Sequence, residues 1–585
     1  MAETPKTKDL LYEIDRLKKQ VEELRSEGDR YGLRWHPIPE EFESDSENAL
    51  PVLKEKGGKF GDVELDPSAD HNVLIEGDNY HALSVLSYTH KGKINVIYID
   101  PPYNTGSDGF RYHDKRIAKE FPNGVEVSAD HPYRHTYWLS FMEKRLRLAS
   151  ELLKQGGVVF ISIDDNEQAN LKILSDKIFG ERNFVACITV HSNPRGRQSS
   201  AHVAPTHEYL LVYLKGEDAQ IMGEKLTSER KKEYKYEDQL GHYREIGLRL
   251  RGGRATAAES PTLHFPLYIN PKSREILLEK SKGLVEVIPK FENGTLGTWR
   301  WSKKKILSDM GYLLARPVRT KTGERWDIFQ KDYLTEDKTL KVKSVWLDKE
   351  INYDNAADEI KSIFGNKVFN YAKPIALIKK IVGIAGDSNS VILDFFAGSG
   401  TTGHTVLELN KEDGGNRRFI LCTNNEGDIC EKITYERLKR VMKGYTTPSK
   451  EKVAGLGGNL KYLKTAFVPK HVEYGLTDEA RLDLTRRANL LLALKENTFT
   501  PVESADRYEV FSSPNRITGI YFTEDKVQLD EMLKSLKTKA KGKTVVVYIF
   551  SWEKGSYKAG FEDYPDFHFE DIPEPILDVY RSIGY

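Results

Sequence analysis

Two stretches of this chain alternate short runs of Val, Ile, Leu and Tyr with amphipathic helical repeats, and no other feature limits its fold as strongly. The first stretch contains the strand-like runs NVLIEGD (72–78), NVIYID (95–100), VVFISID (158–164) and HEYLLVYLK (207–215). Between them lie helical patterns: NYHALSVLSYTHKG, then YWLSFMEKRLRLASELLKQGG closed by Gly156 and Gly157, then Asn166 to Phe179. The second stretch holds SVILDFF (390–396) and RRFILCTNN (417–425), with helical PIALIKKIVGIA (374–385), TTGHTVLELN (401–410) and ITYERLKRVMKG (433–444) around them. Apolar runs bounded by turns are strands buried on both faces, and the intervening helices must cover those faces. The expected fold class is therefore α/β, with a parallel sheet sandwiched between helices.

From about Gly216 to Glu350 the alternation gives way to short mixed segments rich in Arg and Lys, with Trp and Tyr among them. The expected division is a helical segment (1–50), a first half of the sheet domain (51–215), an inserted region (216–350), a second half (351–445) and a C-terminal α+β domain (446–585). In the tail, TVVVYIFSW (544–552) is a strand; near the start, the acidic stretch from Pro37 to Asp70, broken by Pro and Gly, is a linker. Leu10, Ile14, Leu17, Val21 and Leu24 repeat at alternating steps of four and three, a seam for docking on the chain's own domain or on a second copy.

At 585 residues the chain exceeds one hydrophobic core. It carries 88 basic and 88 acidic residues, so overall charge gives no sign of a nucleic-acid partner, and any such surface must be local. No apolar run has transmembrane length and the first residues are polar, which gives a cytoplasmic expectation. Cys187, Cys422 and Cys430 are too few and too scattered for a disulfide framework or a zinc site, and buried thiols are the simpler reading.

Two motifs carry chemistry. Asp100-Pro101-Pro102-Tyr103 follows the run NVIYI directly, and ligands of open α/β sheets bind at the C-terminal ends of strands. A carboxylate and a carbonyl accepting the two N–H bonds of an aromatic amino group would stabilise the positive charge that develops when its nitrogen attacks. Asp100 supplies the carboxylate, paired prolines hold a carbonyl in a fixed direction, and Tyr103 offers a face for stacking. Pro-Pro is also an ordinary way to stop a strand. The second motif, Asp394-Phe395-Phe396-Ala397-Gly398-Ser399-Gly400-Thr401-Thr402-Gly403, is a strand running through a glycine turn into a helix. Its glycine spacing also satisfies the dinucleotide fingerprint, so an NAD(P)-binding enzyme is a rival. That fingerprint asks for an acidic residue ending the next strand, where Thr423, Asn424 and Asn425 stand with Glu426 only beyond them. A dehydrogenase also leaves Asp-Pro-Pro-Tyr without a role.

DPPYNTG (100–106) followed by DFFAGSGTT (394–402) resembles the beta-class amino-methyltransferases, a circularly permuted class in which the catalytic motif precedes the S-adenosylmethionine motif. LIEGDNYHALSVL (74–86), THEYLLVY (206–213), KVFNYAKPIALIKKI (367–381) and GLGGNLKYLKTAFV (455–468) are similar to blocks of the modification (Mod) subunits of Type III restriction-modification systems. The resemblance covers most of 70–215 and 350–470. It implies a Rossmann-like core split by a target-recognition domain, adenine-N6 methylation of double-stranded DNA, a homodimer and a helicase-nuclease Res partner. It implies Asp100, Pro101, Pro102 and Tyr103 as catalytic, and Asp78, Lys373, Asp394, Phe396, Ala397, Gly398, Ser399, Gly400, Thr401 and Asn425 around S-adenosylmethionine. Related enzymes often end the second strand with a Glu that holds the ribose; here Thr423 to Glu426 fill that place and the ribose ligand stays open. A solitary methyltransferase, acting on adenine N6 or cytosine N4, and a silent DNA-recognition subunit are the alternatives.

For DNA contact the candidates are Arg195 and Arg197 in a basic loop, and Arg251 and Arg254 in a cluster with Arg244 and Arg249; Arg300 to Lys305 beside Trp299 and Trp301 form a third group. His207 and Glu208 lack a partner at ligand spacing, so they are read as structural and no metal is expected.

Overall fold

The apolar runs form the middle of an eleven-stranded sheet in the computed structural model, which describes residue 35 and residues 49–57, 60–105, 133–196, 202–320, 323–470, 477–557 and 560–583. The helical seam from Leu10 to Leu24 lies outside the described residues. In chain order the strands are β1 (Ala49–Glu55), β2 (Val63–Glu64), β3 (His71–Glu76), β4 (Ile94–Ile99), β5 (Leu153–Ile163), β6 (Phe184–Val190), β7 (Glu208–Leu214), β8 (Val345–Trp346), β9 (Val391–Asp394), β10 (Arg418–Thr423) and β11 (Asn459–Pro469). Their spatial order is β1-β11-β3-β10-β9-β4-β5-β7-β6-β8, with β2 also paired to β11. Helices α1 (Asn79–Thr89), α2 (Tyr133–Leu152), α3 (Gln168–Phe179), α4 (Tyr353–Phe364), α5 (Ile375–Ala385), α6 (Thr401–Asp413) and α7 (Glu436–Lys443) accompany it.

The sheet is mixed, not parallel throughout. From β11 across to β5 neighbouring strands run parallel. Beyond β5 the chain skips a position to reach β6 by way of α3, then returns as β7 into the gap, so β7 is antiparallel to both. At the other edge β1 is antiparallel to β11. Its residues stand in the stretch expected to be a linker, and Pro51 is tolerated because β1 is an edge strand. Helix α2 ends at Leu152, short of the glycines expected to stop it, and Gly156 (φ 82°) lies within β5.

Packing divides the chain into two units, 223–341 and the rest of the chain. The first is narrower than the expected insertion, because Val345 and Trp346 pair with β6 in the large sheet. It holds a four-stranded sheet and a core that includes Leu248, Phe265, Leu267, Ile269, Trp299 and Ile328. Its ends are joined, Glu224–Lys225 pairing with Thr339–Leu340. The tail does not part from the core at 446. Strand β11 belongs to the large sheet, and the five-stranded sheet beyond it, from Thr500–Ser504 to Phe567–Ile572, shares one apolar core with β1, β3 and α1. Tyr580 anchors the join by donating to the Pro51 carbonyl at 2.6 Å.

Candidate active site

Strands β4 and β9 lie side by side, with Val96 opposite Ile392 and Ile97 opposite Leu393, so both chemical motifs leave the sheet at the same end. Past β4, the Tyr103 hydroxyl stands 2.7 Å from Asp100 Oδ1 and 3.0 Å from Glu208 Oε2. Trp138 of α2 donates its indole N–H to the Pro102 carbonyl at 2.6 Å. Asn104 takes a left-handed conformation (φ 55°), tolerable for its short polar side chain, and its amide donates to the buried Glu167 at 2.5 Å. The chain on both sides of Tyr103 is thus held.

Lys373, which precedes α5, does not behave as a simple cofactor contact. Its backbone carbonyl accepts from Thr401 Oγ1 at 3.1 Å, touching the glycine-turn motif. Its ammonium reaches the other motif: 2.7 Å to the Tyr103 hydroxyl, 2.5 Å to Glu208 Oε2 and 3.2 Å to Asp100 Oδ1. Tyr353 of α4 completes the cluster, donating to Glu208 Oε2 and accepting from Lys373 at 3.2 Å. Lys373 is 6% and Glu208 3% exposed, so water screens these charges little. Burial pushes the Asp100 carboxyl up, Lys373 pulls it back, and Glu208 adds to the rise. Burial works against the Lys373 charge, but Asp100 and Glu208 outweigh it and hold the ammonium well above its usual value. Burial, then Asp100 and Glu208, likewise push the Tyr103 phenol far up, so it stays protonated.

The glycine turn is built from within. Asp394, buried at the end of β9, accepts from the Phe396 N–H at 3.0 Å and from the Thr402 hydroxyl at 2.6 Å. Burial pushes its carboxyl up to about 7. Gly398 (φ 51°) and Gly400 (φ 77°) need the left-handed region, and Gly400 sits at the N-terminus of α6. Gly403 has a different reason. A Cβ there would stand 2.7 Å from Leu438 Cδ2 and 3.0 Å from Leu421 Cδ1, so its absence lets α6 lie close on the sheet. The hydroxyls of Ser399 and Thr401 meet the fully buried Arg437 at 3.1 and 2.8 Å, Ala397 donates its N–H to the Cys422 carbonyl, and Phe396 packs against Phe141.

Two remaining candidates frame the turn from neighbouring strand ends. Asp78 caps α1 through the Tyr80 N–H at 2.7 Å and pairs with buried Arg145 at 3.1 Å, while Arg145 also donates to Asn79. Asn79 in turn donates to the Phe395 carbonyl at 3.1 Å, which links α1 to the turn. Asn425, just past β10, accepts from the Glu431 N–H at 3.0 Å. The residues that sequence reasoning did not single out are Tyr353, Trp138, Arg145 and Arg437, and Glu208 was read as structural only. For Glu208 the signal was present: an acidic residue opening an otherwise apolar strand has to be paired.

The DNA candidates belong to both units. Arg195 is 85% exposed and lies 3.6 Å from Asp354, and Arg197 falls outside the described residues. Arg251 and Arg254 are exposed in the 223–341 unit. In that unit Arg244 is tied to Glu233 and Asp332, and Trp299 is core, so neither is a simple surface contact.

The strand ends suit S-adenosylmethionine. Two carboxylates, Asp100 and Glu208, share the ammonium of Lys373, which leaves excess negative charge at a residue whose own carbonyl accepts from Thr401 of the glycine-turn motif. Such a place favours a cationic sulfonium. The DNA methylase family model matches residues 94–436. The chain is 33% identical over 462 residues to the EcoPI Mod subunit, a Type III restriction-modification enzyme of Escherichia phage P1, covering 74% of this chain and 71% of that one. It is 37% identical over 402 residues to the Type II methyltransferase M.KpnI of Klebsiella pneumoniae, covering 68% of this chain and 92% of that one. A third relative, the StyLTI Mod subunit of Salmonella typhimurium, is 35% identical and covers 65% of this chain and 59% of its own. A family match spanning more than half of its length, together with these identities, shows that the chain belongs to the DNA methylase family.

Proposed function

We propose that this DNA methyltransferase acts on the N6 amino group of adenine within one short sequence of double-stranded DNA, as the modification subunit of a Type III restriction-modification system. The observation that carries the reading is the meeting of Asp100 and the glycine turn at the ends of adjacent strands. S-adenosylmethionine supplies a methyl group made electrophilic by its sulfonium. Asp394, through the Phe396 N–H and the Thr402 hydroxyl, keeps the turn in shape for that cofactor. Asp100 accepts one N–H of the adenine amino group. A carbonyl of the Pro101-Pro102 pair, which Trp138 holds in place through Pro102, accepts the second N–H. Tyr103, its hydroxyl tied to Asp100 and Lys373, presents a ring of fixed orientation to a base extruded from the duplex.

Mod subunits among the relatives support the Type III assignment, with a helicase-nuclease Res partner, a homodimer and a cytoplasmic setting following from it. Modification-sensitive sequencing of DNA from cells expressing the chain alone tests the reaction. Methyladenine at one short motif, lost with Asp100→Ala, is the expected outcome; N4-methylcytosine, or no mark at all, would overturn the adenine reading. Co-purification with a helicase-nuclease encoded beside it tests the partner, and light scattering of the purified chain tests the dimer.

A further inference from the structure

Tyr103 stands among more acceptors than its one proton can serve. Its hydroxyl has one hydrogen, yet it lies within hydrogen-bonding distance of carboxylate oxygens of both Asp100 and Glu208. Lys373 faces Asp100, Glu208, Tyr103 and Tyr353 at once. Glu208 Oε2 gathers Tyr103, Tyr353 and Lys373, while its other oxygen, Oε1, is buried with no hydrogen-bond partner among the described residues. A buried carboxylate left half-satisfied keeps much of its field, and Asp100 stands on the far side of the same ammonium.

Methyl transfer makes a demand on that field. As the nitrogen lone pair bonds to the methyl carbon, the carbon–sulfur pair leaves with sulfur, the nitrogen becomes positive, and one N–H proton must go to a base. An Asp100 facing Lys373 alone would be a strong acid and a poor acceptor, and with no cation near it burial would keep it protonated. We propose that Glu208 is a positioning residue for methyl transfer: its carboxylate takes up much of the Lys373 charge and so sets the basicity with which Asp100 receives the departing proton. The inference rests on the role given to Asp100 above. The distances agree with it, since Lys373 is closer to Glu208 (2.5 Å) than to Asp100 (3.2 Å).

The charged and titratable groups facing Asp100 are Tyr103 on its own loop, Tyr98 on β4, Glu208 on β7, Tyr353 on α4, Lys373 before α5 and Asp394 on β9. Of these, Glu208 and Lys373 are opposite in sign, and that gives the test. The pH dependence of kcat is measured at saturating DNA and S-adenosylmethionine on the full chain. Glu208→Gln removes a negative neighbour and moves the acidic limb to lower pH by about one unit; Lys373→Met moves it higher by a comparable amount. Glu208→Asp, which keeps the charge, restores the limb to near its wild-type place. Because kcat is read at saturating cofactor and DNA, a change in either affinity does not enter the position of the limb. Should Glu208→Gln not fold, Tyr353→Phe decides: it strips a donor from Glu208, leaves that charge less compensated, and raises the limb. Limbs that do not move, or that move together in Glu208→Gln and Lys373→Met, overturn the inference. Full turnover in Asp100→Asn would sink the underlying reading instead.

Discussion

Asp394 keeps its side chain out of the solvent at the cost of a carboxyl pushed up to about 7 by burial, from an ordinary 3.8. A folded-state value above the unfolded one means that the folded protein holds the proton more tightly. The resulting stabilisation is complete below the ordinary value and is lost as pH rises through about 7. Asp394→Asn cannot titrate, so the wild-type melting temperature minus that of the variant should fall from pH 5 to pH 8. At about 1.4 kcal/mol per pKa unit, that fall is worth on the order of a few kcal/mol. Thermal melts of the cofactor-free chain at several pH values check this; a difference that rises with pH contradicts it. At this scale the contiguous motifs were legible because neighbours in sequence stay neighbours in space. Glu208 was read only as structural, since Lys373 and Tyr353 reach it from distant parts of the chain and no spacing could announce them.

Among elements, α6 and α5 make opposite demands on glycine. Gly403 of α6 has no room for a Cβ between Leu438, Leu421 and Phe419. Gly403→Ala should therefore destabilise the fold by about 1–3 kcal/mol through overpacking. Gly383, exposed on α5 with nothing within 4 Å of a Cβ, is a helix-interior position, and Gly383→Ala should stabilise by about 1 kcal/mol. Denaturant titrations of the two variants should thus move in opposite directions. The strands His71–Glu76, Ile94–Ile99, Val391–Asp394 and Arg418–Thr423 follow the apolar runs that announced them. Others did not show. Ala49–Glu55 hides behind Pro51 and its acidic surroundings, and Phe184–Val190 sits only partly buried near an edge. Direction was not legible either. A period of two is the same read both ways, so only the return of the chain from β6 makes β7 antiparallel.

Across the whole molecule, the inserted region announced itself by the loss of alternation, but its limits did not, because Val345 and Trp346 complete the large sheet from within the irregular stretch. The tail was equally hard to place, since β11 and Tyr580 fasten it to β1 and no composition shift marks such a join. The unit 223–341 has its own sheets and core, so it should fold when expressed alone, with a cooperative melt by circular dichroism; a broad, non-cooperative trace would contradict that. Its two ends meet where Glu224–Lys225 pairs with Thr339–Leu340. For inheritance, that clasp turns more than a hundred codons into a cassette: a recombination event with breakpoints at the paired ends exchanges one self-contained body for another and leaves the reading frame of the chemistry, and the machinery it encodes, as it was.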